Sequence, residues 1–288
     1  MTGRFKHLII VSILGIYLLL PLFGTLLYSL AEEWSTTILP ESWTLSWYKM
    51  LFEDMRFMEA LGRSIFVIST SVILSLTVMI LTIFIMTIYF PRKEKYLKLI
   101  SMMPYGIPGV VSAIGLLNIY SSSIIPITGT PWILIGSYAI IIMPFVYQGI
   151  RNSLYTVNAT ELIQAAELLG ASKMKAVTSV VLPNMMKGIL AAALLSIAML
   201  FGEFALANLL VGGQYETLQI YLYQQFSKNG HLTSAIVISY YFIIMVVTGF
   251  LIQFQQPGRK KKVLPKNFSE LLVSKKTGQN RGVEGDLQ

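Results

Sequence analysis

The residues best placed to do something specific lie in one short stretch, Gln164-Ala165-Ala166-Glu167-Leu168-Leu169-Gly170, followed by Val180 and by Leu182-Pro183. Their chemistry is mechanical, not catalytic. Glu161 and Gln164 put polar heads on a helix surface. Ala165 and Ala166 are small enough to let another surface approach closely. Gly170 can take the left-handed conformation that ends a helix and turns the chain. Elsewhere the reactive inventory is thin. The chain has no cysteine, hence no disulfide framework and no thiolate metal site. His7 and His231 lie far apart in sequence and form no metal-ligand spacing. There is no Gly-x-Ser-x-Gly elbow, no pair of acids inside an apolar segment, and no Gly-x-x-x-x-Gly-Lys-Ser/Thr run to cradle a nucleotide. A membrane enzyme has nothing here to work with, and no resident cofactor or metal is expected.

These residues sit in a chain built for lipid. Of its 288 residues 55% are hydrophobic and 12% charged, against about 25% charged in a soluble domain. The mean hydropathy is +0.66. Six apolar runs, near 8–30, 64–90, 99–120, 131–149, 189–211 and 234–254, are long enough to cross a bilayer. Backbone groups cannot go unpaired in hydrocarbon, so each run is expected to be a helix. The predicted fold is an all-α integral membrane protein, with a transmembrane domain over 1–255 and a basic tail over 256–288. The tail is polar and expected to be disordered. Its Arg259-Lys260-Lys261-Lys262 cluster reads as a stop-transfer anchor. The first run follows Arg4, Lys6 and His7 but is longer than a cleaved signal's apolar core, so it reads as an uncleaved span.

Charge placement predicts the orientation. With the N-terminus inside, the inner segments carry Arg4 and Lys6, then Arg92, Lys93, Lys95 and Lys98, then Arg151, Lys173, Lys175 and Lys187, then eight in the tail. Those are eighteen of the 22 basic residues; Lys49, Arg56, Arg63 and Lys228 fall outside. Basic residues favour the cytoplasmic side, so both termini are expected there. The net charge of +8 is then a topology signal and a contact for anionic lipid, not a nucleic-acid footprint. The outer segment 31–63 is acidic and holds Trp34, Trp43, Trp47 and Tyr48. It reads as an interfacial aromatic belt on a short amphipathic helix, or as a docking surface for an external partner.

About forty residues, 150–188, separate the fourth and fifth runs. Asn158 and Glu161 have capping-box spacing. Leu162, Ala165, Ala166 and Leu169 then fall on one face. Gly170 suits a helix end, Ser172 can cap a second helix, and Met174, Val177 and Val181 make that helix's apolar face, with Leu182-Pro183 as its end. The predicted unit is helix, glycine turn, helix. By pattern alone it could lie as an amphipathic hairpin on the inner membrane surface.

The spacing of the stretch resembles the signature loop of permease subunits in binding-protein-dependent, type I ABC importers. The family pattern is Glu-Ala-Ala, three residues, Gly, nine residues, Ile-x-Leu-Pro. Ala165, Ala166, Gly170, Leu182 and Pro183 match it as they stand, Val180 replaces isoleucine, and Gln164 replaces the usual glutamate. That last departure puts any charge-specific contact in doubt but keeps side-chain length and a hydrogen-bonding head. The resemblance covers roughly residues 60–255. It implies a six-helix permease fold, with Glu161, Gln164, Ala165, Ala166, Gly170, Val180, Leu182 and Pro183 forming a helix that couples to a partner ATPase. It implies further partners: a second permease subunit, identical or paralogous, and an extracytoplasmic solute-binding protein. ATP and magnesium would belong to the ATPase.

Three residues suggest a pathway. Pro104 and Pro108 bracket a break in the third run, either a packing kink or a bend lining a gate. Glu203 is an acid placed inside the fifth run, either bonded to a neighbour near its outer end or lining the path of a cationic solute. Gly202-Glu203-Phe204, Gly212-Gly213 and Thr217-Leu218 resemble the subgroup moving polyamines, phosphonates, ferric iron, thiamine or sulfate. The competing reading is a stand-alone secondary transporter or channel, which leaves the long capped loop unexplained.

Overall fold

The computed structural model describes residues 2–34, 37–121 and 127–255. The chain divides into two compact units, Met1–Leu251 and Ile252–Gln288. Of the second, only the last turn of one helix is among the described residues. The tail over 256–288, with its Arg259–Lys262 cluster, lies outside them.

The first unit is helical. Its elements are α1 (Thr2–Leu30), α2 (Ser46–Glu53), α3 (Met55–Tyr89), α4 (Glu94–Met102), α5 (Gly109–Tyr120), α6 (Pro131–Ile141), α7 (Met143–Thr156), α8 (Ala159–Leu168), α9 (Lys173–Ala176), α10 (Leu182–Phe201), α11 (Ala205–Leu210), α12 (Leu218–Phe226) and α13 (Gly230–Gln255). Among the described residues, extended chain pairs only at one bridge, between Ala31 and Trp43. Among the described residues, four helices are long and apolar enough to span a bilayer: His7–Leu30, Met55–Tyr89, Lys173–Phe201 and Gly230–Phe250. Two bent pairs bring the number to six if each counts as one span.

The core forms where α3 lies against α6, α7 and α10, and where α7 crosses α10. Val67, Leu134, Ile142, Val146, Ile150, Met185 and Leu200 are fully or almost fully buried there. Helices in lipid gain little from burial of apolar surface as such, so close approach through small residues matters more. The α7–α10 crossing shows it. A Cβ on Gly149 would meet the Ala192 side chain at 2.4 Å, and one on Gly188 would meet Ser153 at 2.5 Å. Ser153 Oγ donates to the Met185 carbonyl across the same crossing, at 3.1 Å.

Prolines explain the bent pairs. Between the helical segment Pro91–Gly106, which contains α4, and α5 the axis swings by 96°. Pro104 and Pro108 each lack an N–H and cannot continue a ladder. Between α6 and α7 the bend is 45°, with Pro144 at the start of α7.

The helix of the fifth apolar run departs from its sequence expectation. It was expected over 189–211; it runs continuously from Lys173 to Phe201 and stops at Gly202. Leu182-Pro183 does not end a helix. The chain widens into a π turn over Val177–Val181, where the Leu182 N–H reaches the Val177 carbonyl five residues back. A wide turn leaves room for the proline ring that an α-helical interior would clash with. Asn184 Nδ2 donates to the Val180 carbonyl at 2.7 Å, satisfying an acceptor in that turn.

Candidate functional site

The predicted helix–turn–helix exists, and its parts can be followed residue by residue. α8 buries Ala159, Ile163 and Ala166, at i, i+4 and i+7, against α9 and the π turn. Leu162 is half-buried. This inner face is rotated from the expected one. Ala165 and Leu169 point outward with Gln164, Glu161 and Leu168. Leu168 is 90% exposed and Leu169 89%. An apolar stripe marks a helix face that avoids water, but it does not distinguish a face covered by the chain itself from one left for a partner. Ile163 supplied the inner anchor that the expected face lacked.

The expected Asn158–Glu161 capping pair is not formed. Asn158 has φ of 50° and its side chain makes no cap hydrogen bond. It serves the sharp turn from α7 into α8, where a left-handed residue is needed and asparagine tolerates it. Its carbonyl accepts from the Leu162 N–H at 3.1 Å.

The glycine turn is as expected. Gly170 has φ of +86°. The Ala171 N–H donates to the Ala166 carbonyl at 3.0 Å and the Gly170 N–H to the Glu167 carbonyl at 2.9 Å, the paired bonds of a Schellman ending. Ser172 then caps α9, its hydroxyl accepting from the Lys175 N–H at 3.4 Å. Val177 and Val181 are buried, as expected of them, but Met174 is 61% exposed. Val180 and Leu182 are half-buried and Pro183 is exposed. The result is a blunt tip presenting Gln164, Ala165, Leu168, Leu169, Gly170 and Met174.

The pathway candidates lie around one cleft: Pro104 lines it together with Leu206, whose N–H donates to Glu203, and Leu206 lies beside Gly109, next to Pro108. Pro104 and Pro108 flank the 96° break. Glu203 lies just beyond the end of α10, which stops at Phe201. Its carboxylate accepts from the Leu206 N–H at 2.9 Å and the Ala207 N–H at 3.3 Å, capping α11. The Tyr138 hydroxyl, from α6, stands 3.3 Å from the same carboxylate and 3.2 Å from the Glu203 carbonyl. α11 in turn packs on α5. The acid therefore holds a short helix in place.

Two charged clusters were not anticipated. At the start of α3, Arg56 donates from Nε and Nη2 to the two oxygens of Glu216, both at 2.7 Å. Arg56 also reaches Gln224. Asp54 caps α3 through the Arg56 N–H at 2.8 Å and accepts from the Tyr221 hydroxyl at 2.6 Å. Burial, then the bond to Asp54, push the Tyr221 phenol above its ordinary range, so it stays a donor. Beyond the far end of α3, Glu94 pairs with Arg151, whose guanidinium lies over the Tyr155 ring. Partners such as Arg56 and Glu216 are 160 residues apart, too far for local pattern to join; only Asp54, a cap type just before a helix, was readable.

The aromatic segment is partly a staple. α2 is the short amphipathic helix expected, and Trp47 Nε1 donates to the Ala31 carbonyl at 2.9 Å. The His231 ring stacks on Tyr28 at 4.0 Å and lies 5.6 Å from Trp47, tying the end of α1 and α2 to the start of α13. Trp43 remains exposed.

Known proteins place this architecture. Residues 84–261 match the family of inner membrane components of binding-protein-dependent transport systems. This is more than half of the chain, and the chain belongs to that family, as a permease subunit of a type I ABC importer. PhnV, a permease protein assigned to a 2-aminoethylphosphonate transport system of Salmonella typhimurium LT2, is 25% identical over 222 residues, 77% of this chain and 83% of its own length. Its Salmonella typhi counterpart is 24% identical over the same extent. Among solved structures, a bacterial ABC transporter importing the acidic polysaccharide alginate superposes with a TM-score of 0.68 at 16% identity, over 88% of this chain and 98% of that one. The inward-facing MetNI methionine transporter gives 0.57 at 17% identity, over 73% and 97%.

Proposed function

We propose that the α8–α9 tip is the grip through which a partner ATPase drives this permease, and that ATP with magnesium is bound only by that partner. One observation carries the reading: two adjacent leucines about nine-tenths exposed, at a glycine turn held by a Schellman ending. An uncovered pair of leucines on a rigid tip is a hydrophobic anchor awaiting a pocket. Movement of that pocket would pass straight along Lys173–Phe201, because the tip and the fifth span are one continuous helix.

The charge distribution supports an orientation with both termini and the tip in the cytoplasm of a bacterial inner membrane. The complete importer would add two ATPase subunits, a second permease subunit and an extracytoplasmic binding protein. For the solute, the PhnV likeness favours 2-aminoethylphosphonate or a related small molecule over a polyamine or ferric iron. The test is affinity purification in mild detergent. Recovery of an ABC-type ATPase with the wild-type chain, lost with Leu169→Asp and with Gly170→Pro while both variants still insert, is the expected result. A chain that purifies alone and moves solute without ATP in liposomes would overturn it and leave a secondary transporter.

A further inference from the structure

Between α7 and α10 lies an open cleft of about 540 Å³. Its walls carry Gln148, Asn152 and Thr156, spaced one turn apart along α7, and Asn184 and Lys187 on α10. The edge-on pair Tyr105 and Phe145, 5.4 Å between ring centres, contributes to the lining. No acidic residue lines the cleft. Lys187 has no ion-pair or hydrogen-bond partner among the described residues, and it is exposed at the start of α10, one turn after Pro183. The acids nearest in sequence to these walls, Glu161 and Glu167, lie on α8 and do not line the cleft. Glu94 is paired with Arg151, and Glu203, the residue that would favour a cationic solute, caps α11.

An ammonium that faces an open cleft with no carboxylate partner draws anions into it. The amide groups beside it can donate hydrogen bonds to oxyanions. A polyamine would meet like charge and no carboxylate. We propose that this cleft is a station for an anionic solute, with Lys187 facing its phosphonate, phosphate or carboxylate group and Gln148, Asn152 and Asn184 supplying donors. The proposal rests on the permease reading and narrows its substrate class to anions and to zwitterions of net negative charge.

The absence of native cysteine makes a direct test possible. Ala191 lines the cleft one turn from Lys187. Ala191→Cys would be introduced into the tagged chain, purified with whatever partners it retains, in nanodiscs of phosphatidylcholine alone. Its reaction with a sulfonate-bearing thiosulfonate and with a trimethylammonium-bearing one would be timed, each relative to free cysteine. The expected anion-to-cation rate ratio exceeds one and falls about fivefold or more with Lys187→Gln, the influence of one nearby charge in a partly hydrated site. Lys187→Arg should keep the ratio. Millimolar 2-aminoethylphosphonate or inorganic phosphate should slow the modification, putrescine should not, and Asn152→Ala should weaken the protection.

A ratio indifferent to Lys187→Gln, protection by putrescine, or no protection by either anion would overturn the proposal. So would a thiol unreactive toward both reagents in the complex, which would mean that the second permease subunit fills the cleft. Protection that appears only when phosphatidylglycerol is added to the nanodisc would assign Lys187 to a lipid headgroup and also overturn it. The ATPase co-purification does not depend on Lys187, so the permease reading can stand while this one falls.

Discussion

Among the described residues nothing covers Leu168 and Leu169, which are 90% and 89% exposed. Filling a pocket with one leucine stabilises a contact by about 1.5–3 kcal/mol. Leu169→Ala should therefore weaken ATPase binding by roughly ten- to a hundredfold, readable as loss of the ATPase at increasing detergent washes, with the amount of inserted chain unchanged. Gly170 makes a different prediction. Its φ of +86° costs a β-branched residue about 1–3 kcal/mol but suits asparagine far better. Gly170→Val should uncouple ATP hydrolysis from transport, and Gly170→Asn should retain most of the coupling; equal defects would show that the turn's geometry is not what matters. Gln164 is exposed and makes no bond that its helix needs, so Gln164→Glu should leave ATPase recovery intact or slightly raised.

At the scale of elements, two devices hold the helices in register. The Arg56–Glu216 pair ties the start of α3 to the segment leading into α12, and the Glu216 side chain is only 9% exposed. Arg56→Ala strands that carboxylate and should cost about 1–3 kcal/mol, discounted because the arginine itself is half in solvent. Thermal unfolding in detergent should show it. Arg56→Lys should recover part only, since a point charge cannot bridge both oxygens. The second device is the α7–α10 crossing. Gly188→Leu would force a side chain into Ser153 and should lower the unfolding midpoint by the equivalent of about 1–3 kcal/mol. A midpoint equal to wild type would mean that the two helices can separate at no cost.

For the whole molecule, orientation is the quantity to test. Lys228 and Lys173 are both exposed and fall on opposite sides of the proposed topology. Lys228→Cys should react with an impermeant maleimide on intact spheroplasts, and Lys173→Cys only after permeabilisation; the reverse pattern would invert the topology. The best apolar window of α1 is 0% buried within the chain. Such a helix needs lipid or a second permease subunit against it, and cross-linking between α1 and a neighbouring chain would distinguish the two.

What the amino-acid order determined by itself is whatever depends on composition and short spacing. Six apolar stretches, the glycine turn at Gly170, the Ser172 cap and the family signature all follow from residues within a few positions of one another, where backbone sterics and hydropathy act locally. Only the tertiary structure decided which face of α8 is covered, because apolar residues lie on both, and the choice depends on where Ile163 meets α9. Only it showed that Pro183 lies within a continuous helix, because a π turn five residues wide removes the clash that ends helices elsewhere. Glu203 became a cap, and Arg56 found Glu216, through packing of segments far apart in the chain; contacts of that kind arise from how helices cross, which no local pattern encodes.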